Sequence, residues 1–410
     1  MSRQLADRVY GSVDLDELQT SLKSTEPVLE AEGLTQLGLS SNLFPNATHR
    51  RREHLIGSSI LAGLFSRYLN LSKQETYTLE SAAMLHDIGH SPFSHAAEKF
   101  LNENHFHHEK ESVKRIRESK EILDVLKEFN VDPDEVIALI DGKYRGNPYG
   151  QQLIAGSLDV DRLDYLMRDS TNTTGFGDSL KHERFIQCSG IDGKIIYFTQ
   201  DCLPNIEMFI TVYRNMYLGV YHNRNTCAFD EMLHTALELR KKEIGELMNY
   251  SEEGLKKKLL EENNGDPRQQ AAAYLARMVF QKQEPYRDLF FVGLEDKETI
   301  REIRRRRGTP IETETLNEEI RKGLQIERHQ VICVDQKIPD AQPKLSTDTY
   351  IKPFQSGSED AKIIRLEEFR PGLPHMDKRH LFPFSFRVIA PQEIAYNPEN
   401  RKRAEEIILG

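Results

Sequence analysis

Eight of the fourteen histidines, His49, His54, His86, His90, His95, His105, His107 and His108, fall between residues 49 and 108 of a 410-residue chain. The stretch that carries them has the apolar spacing of helices, so any fold open to this chain must hold a cluster of imidazoles on a helical frame. Histidine is the commonest metal ligand and the side chain that titrates nearest neutral pH. The cluster therefore points to a metal site, to acid/base chemistry, or to both. The plain alternative is a solvated polar surface, and it is strongest for His105 and His107.

Leu55, Ile56, Ile60, Leu61, Leu64, Phe65 and Tyr68 recur at helical spacing and predict an amphipathic helix over 50–69, with His54 on it. A second helix is expected over 72–86, stopped near Gly89 and Pro92. Residues 12–40 are compatible with helix around Pro27, and 42–48 read as a loop. The interior of 95–170 reads as helical, including 122–129, 134–140 and 153–169, interrupted at Pro133 and in the 142–150 turn. An Asp-Gly turn followed by β-branched and aromatic residues makes 190–200 a hairpin. Helices resume over 205–247 and 268–281, and strands are expected at 289–292, 330–334, 349–353 and 385–389. The fold class expected is mainly α: a helical domain over 1–284, with core motifs at 36–170 and the hairpin inserted, and a smaller α+β lobe over 285–410.

Composition narrows the function. With 55 Lys plus Arg against 65 Asp plus Glu, the net charge of −10 argues against general wrapping of nucleic acid. An anionic substrate then has to be met by a metal or by local cations. Cys188, Cys202, Cys227 and Cys333 form no CxxC pair, which disfavours a disulfide framework and a thiolate zinc site. No run approaches the ~18–20 apolar residues of a membrane helix, and the N-terminal segment lacks a signal-peptide core. A cytoplasmic protein without membrane partners is the expectation. The Arg304–Arg307 run ends a helical pattern before Gly308, so it reads as a dipole-favoured helix end, with a phosphate patch as the alternative.

His54, the dipeptide His86-Asp87 and Asp161 together offer two imidazoles and two carboxylates from three helical segments. Such a nitrogen/oxygen set suits Fe, Mn, Zn or Ni rather than a sulfur-bound structural zinc. His90 stands four residues after His86, and Asp161, Tyr165 and Asp169 recur every four, so each set is expected on one helix face across a single cleft.

The ordered strings DRVYG (7–11), QLG (36–38), FPNATHRRREH (44–54), HDIGHSPFSH (86–95), HHE (107–109) and DVDRLDYLMRDS (159–170) resemble the HD-domain phosphohydrolases, in particular the deoxynucleoside triphosphate triphosphohydrolase branch. The resemblance implies that His54, His86, Asp87 and Asp161 ligate a divalent metal, with Mg accompanying the triphosphate. It implies catalytic roles for His90, His95 and His108 around the scissile α-phosphate, and phosphate contacts from Arg51 and Arg162. Asp169 would face the sugar 3′-hydroxyl, Tyr165 would disfavour a 2′-hydroxyl, and Gln36 and Leu37 would edge the pocket. Arg214, Tyr217, Tyr221 and His222 would reach the triphosphate or base. The activity implied is hydrolysis of a dNTP to deoxynucleoside and triphosphate by a homo-dimer or homo-tetramer.

Structural alternatives stand beside these roles: Arg162 or Arg168 pairing with Asp159, Asp164 or Asp169, Tyr165 in the core, and plain helix packing over 214–222. The chain departs from the family at 26–35, acidic where an Arg-rich stretch is usual, and at Arg52 and Leu55 beside the metal histidine. The competing functions are a nucleotide monophosphatase or phosphodiesterase on the same scaffold, or a nucleotide-sensing module without catalysis.

Overall fold

A computed structural model describes residues 4–101, 106–245, 247–262, 266–336, 348–354, 362–372 and 384–410, without the side chains of His95, Lys99 and Asn249. Helix Arg51–Tyr68 and helix Lys73–Leu85 pack along each other and set the frame for everything around them. Leu55, Leu61, Ala62 and Phe65 on the first bury against Leu79, Ala82, Ala83 and Leu85 on the second. The second helix starts where Ser72 Oγ accepts from Glu75 N and Glu75 Oε2 accepts from Ser72 N, a reciprocal cap. Ser72→Ala is expected to cost about 1 kcal/mol in urea unfolding. Unchanged stability would show that water replaces the cap at no cost.

Helix Val160–Asn172 crosses the first helix at Gly57. A Cβ at Gly57 would stand 2.1 Å from Arg168 Nη2 and 2.2 Å from Asp164 Oδ1, so any side chain there would have to displace the Arg168–Asp164 pair. The expected helix over 153–169 is two helices, Pro148–Ala155 and Val160–Asn172, because buried Asp159 takes an extended backbone and its side chain caps the second. The helix expected over 205–247 also breaks: Leu203–Met216 widens into a π-turn at Tyr217–Tyr221, and Asn223 caps a new helix, Arg224–Leu239. Near the N-terminus, strands Gln4–Asp7 and Gly11–Asp14 form a hairpin, and the helix-compatible stretch around Pro27 is two short helices, Glu17–Leu22 and Glu26–Glu30.

The molecule is mainly α with small sheets. Strands Ser189–Asp192 and Ile195–Thr199 form the expected hairpin. Strand Tyr350–Lys352 pairs in parallel with Ile195–Thr199, and Ile351 and Leu366 join the helical core, so this part of 285–410 packs on the first half of the chain. The lobe itself is a three-stranded antiparallel sheet with Phe386–Ala390 between Arg287–Val292 and Ile332–Asp335. Helices Lys297–Arg307, Thr313–Leu324 and Pro398–Leu409 cover it through Ile300, Ile303, Leu316, Ile320 and Ile408. The arginine run is a paired helix end: Arg304 meets Asp335, Arg305 and Arg306 meet Glu302, and Arg307 meets Glu319.

Candidate metal centre and active-site cavity

The four candidate ligands converge. His54 Nε2 lies 3.1 Å from Asp161 Oδ1 and 3.4 Å from His86 Nε2. His86 Nε2 is 3.3 Å from Asp161 Oδ1 and 3.6 Å from Asp87 Oδ1. Ligands about 2.1 Å from a shared ion stand about 3.0 Å apart at octahedral angles and about 3.4 Å apart at tetrahedral ones. These edges fit a divalent ion. His86 is not in the second helix, which ends at Leu85; residues 86–89 form a turn, so His86 and His90 share no helix face. The turn instead lets neighbours His86 and Asp87 both point at one centre.

Each imidazole is held by its far nitrogen. His86 Nδ1 donates to Ala83 O at 2.8 Å, since a carbonyl can only accept, which turns the Nε2 lone pair toward the centre. His54 Nδ1 faces Asp164 Oδ2 at 2.8 Å. Burial works against the Asp164 charge, yet Arg168 and His54 hold its carboxyl down to about 2. Asp164 is fully buried and also accepts from Arg168 Nε and Nη2 at 2.9 Å and from Tyr10 Oη at 2.8 Å. Asp7 Oδ2 takes the third arm of Arg168 at 3.0 Å. The N-terminal hairpin is thus a latch on the carboxylate that orients His54. Burial disfavours the His54 charge, but Asp161 and Asp164 push its pKa up to about 10. The same tetrad thus attracts a cation, whether proton or metal. Asp164→Asn is expected to weaken metal affinity about 10–100-fold, read by competition with a chelator. Native affinity in that variant would sink the orienting role.

Beside the tetrad, Asp87 Oδ2 receives Arg51 Nη1 at 2.5 Å, and His90 Nε2 lies 3.3 Å away. Arg51 Nη2 donates to Ser94 Oγ at 2.8 Å. The His90 and His108 rings stack, centroids 4.0 Å apart and 16° between planes, with Glu98 Oε1 2.8 Å from His108 Nδ1 and 3.4 Å from His90 Nδ1. Burial and the Arg51 cation push His90 down to about 3. Burial also acts against a charge on His108, but Glu98 and Asp87 raise it to about 9. Burial and Arg51 thus favour the neutral form of His90, while Glu98 and Asp87 favour the charged form of His108. Phe93 and Ser94, in the turn between them, have φ of 60° and 47°. Such left-handed non-glycine residues cost on the order of 1–3 kcal/mol each and gather at functional sites. Glu252 clamps the turn, accepting from Phe93 N at 3.2 Å and Thr35 N at 3.0 Å.

A cavity of about 490 Å³ opens from this centre. Asp161, Tyr165 and Asp169 line it from one helix face, as their spacing predicts, and Gln36, Leu37, Arg51, Tyr217, Tyr221 and His222 complete the wall. Asp169 accepts from His49 Nε2 at 2.8 Å and from Tyr221 Oη at 2.7 Å. Its carboxylate is therefore fixed by two residues far apart in sequence.

Arg162 is turned away, its guanidinium held by Asp159 and by Gly156 O, and it does not line the cavity. Arg214 is exposed and also absent from the wall. The His95 side chain and all of His105 lie outside the described residues, and His107 is exposed. Leu55 is core, and Arg52 pairs with Glu32, so neither reaches the centre. Glu30 and Glu32, in the acidic stretch, are taken up by Arg115 and Arg52. Asp164, Glu98 and the His49–Asp169 contact are the parts that the sequence reading missed.

Residues 51–169 match the HD domain family model. An uncharacterized protein of Mycoplasma genitalium is 31% identical over 241 residues, 54% of this chain and 56% of that one. The deoxynucleoside triphosphate triphosphohydrolase SAMHD1 homolog of Dictyostelium discoideum is 32% identical over 232 residues, 52% of this chain and 44% of its own length. The human SAMHD1 enzyme is 26% identical over 261 residues, 54% of this chain and 40% of its own. The chain spans about half the length of the curated relatives it matches. A phosphohydrolase from Bacteroides thetaiotaomicron shares the fold, with a TM-score of 0.70 at 20% identity over 95% of this chain and 99% of that one. Among the described residues, no helix is long and apolar enough to cross a membrane.

Proposed function

Because the chain carries an HD domain and resembles the dNTP triphosphohydrolases along its histidine-bearing half, we propose that it is a metal-dependent phosphohydrolase that cleaves dNTPs to deoxynucleoside and inorganic triphosphate. The observation that carries this reading is the shared cavity: His54, Asp87 and Asp161 of the tetrad and the stacked His90–His108 pair line the same space as Tyr165, Asp169 and Tyr221. A volume of about 490 Å³ is in the range of nucleotide-sized sites.

His54, His86, Asp87 and Asp161 would hold a divalent ion, which would lower the pKa of a bound water and offset phosphoryl charge. The bond to water oxygen forms at the α-phosphorus as the bond to the 5′-oxygen breaks, and the leaving alkoxide must gain a proton. His108, held protonated by Glu98 and Asp87, is the donor in this reading, and neutral His90 packs against it. Arg51 steadies Asp87 and presents its cation to the phosphates. Asp169, fixed by His49 and Tyr221, accepts from the 3′-hydroxyl, and Tyr165 crowds the 2′ position.

The test is incubation of metal-reconstituted protein with each dNTP and NTP, alone and mixed, followed by identification of the inorganic product. Triphosphate from dNTPs is the expected result. Orthophosphate from nucleoside monophosphates, or nucleotide binding without turnover, would replace this reading by a monophosphatase or a sensing module.

A further inference from the structure

A second cavity, of about 680 Å³, lies where the three-stranded sheet meets the start of helix Arg224–Leu239. Arg224, Arg287, Arg387 and Arg401 line it, against one lining carboxylate, Asp288. In a chain with ten more acidic than basic residues, this is a local reversal of sign.

The arginines come from four separate segments, and each is already aimed by its neighbours. Arg387, on the central strand, is 1% exposed. Its Nη1 donates to Arg224 O at 2.9 Å and lies 3.7 Å from Asp288 Oδ1, while Nε and Nη2 are buried without a hydrogen-bond partner among the described residues. A guanidinium does not shed its proton in a protein, so this charge stays at the cavity wall, with Asp288 and Glu231 as the carboxylates near it and Arg224 opposing them. Arg287 Nη1 donates to Asn225 Oδ1 at 3.1 Å, and its Nε is likewise buried without a partner. Arg401 is held by two carbonyls, Ala395 O at 2.7 Å and Asp288 O at 3.1 Å, which fix its fork without neutralising it. Arg224 alone has a close carboxylate, Asp288 Oδ2 at 2.5 Å, and its guanidinium sits over the Phe291 ring at 3.9 Å.

We propose that this cavity binds the oligophosphate group of a small anion, at a site separate from the histidine cavity. Planar guanidinium forks match phosphoryl oxygens. Four of them around one cavity exceed what the two oxygens of a single carboxylate can engage, whereas a phosphate chain presents an oxygen to each. Inorganic polyphosphate and the tail of a nucleoside triphosphate share this chemistry. The proposal stands independently of the reaction assigned above.

Isothermal titration of the full chain with inorganic tripolyphosphate tests it, comparing native protein, Arg287→Gln/Arg401→Gln and Arg51→Gln. The expected result is a binding event that persists in Arg51→Gln and weakens at least tenfold in the double variant. The exposed single variant Arg401→Gln serves if the double variant melts early, with a weakening of several-fold expected. Native binding in the arginine variants, or complete loss of binding in Arg51→Gln, would overturn the proposal. Tyr396, an exposed ring, also lines this cavity; with ATP as titrant, tighter binding than tripolyphosphate that Tyr396→Ala abolishes assigns the site to nucleotide tails, and equal affinity assigns it to inorganic chains.

Discussion

Asp161→Ala is expected to emerge from reconstitution with less than about a tenth of the native metal content and to lose activity on the order of 10³-fold or more. Asp161 Oδ1 lies within 3.3 Å of Nε2 of both His54 and His86. Burial acts against its charge, but His54 and His86 hold its carboxyl far below the usual range, so it is the ready anion at the centre. Removing it leaves two imidazoles and Asp87, whose other oxygen is committed to Arg51. The side chain is about a third exposed to the cavity, so truncation leaves the core intact. Metal analysis and thermal melting therefore separate loss of the ion from loss of fold. Full metal content and activity in this variant would remove the tetrad as the catalytic centre.

His108→Gln is expected to lower turnover about 10²–10⁴-fold while metal content stays native, the range for loss of a positioned general acid. The pH profile carries the finer information. A donor whose pKa is raised works below that value and fails as pH rises through it, so the native profile should fall on the alkaline side, at or below about 9. A bound divalent ion close to Asp87 moves that limb toward neutrality, since cations oppose the imidazolium charge. In His108→Gln the alkaline limb should vanish together with the rate. A variant that keeps both the limb and the rate would transfer the acid role elsewhere, with His90 an unsuitable heir because burial and Arg51 keep it neutral.

The convergence of the candidate donors was legible because ligand chemistry is written in residue type: two histidines and two aspartates in an ordered string need no coordinates to suggest a metal. The Asp161–Tyr165–Asp169 stripe was legible because a helix converts a spacing of four into a face. Asp164 was hidden for the complementary reason. Three residues past Asp161 it reads as a surface partner for arginine, and only the close crossing at Gly57 buries it against His54. His49 carried no spacing signal toward Asp169, 120 residues away. The π-turn at Tyr217–Tyr221 sits in a sequence with sound helical periodicity, so periodicity alone extended the helix through it. Strand Tyr350–Lys352 was recognisable as a strand, but its partner across the molecule was not, because pairing is a choice among distant edges. Arg162 shows the limit of position-by-position inference, since Asp159 three residues earlier captures it.

The latch formed by Asp7 and Tyr10 has a consequence for the order of events during synthesis. Asp7 and Tyr10 are made well before Asp164 and Arg168, and only when the later pair has been made can the carboxylate behind His54 be fixed. A nascent chain that has already folded helices Arg51–Tyr68 and Lys73–Leu85 still lacks both Asp161 and the brace for His54. Domains assemble in the order their segments appear, so a nascent chain stalled before residue 161 cannot complete the tetrad, and a metal could be held there only once residues 161–168 have emerged.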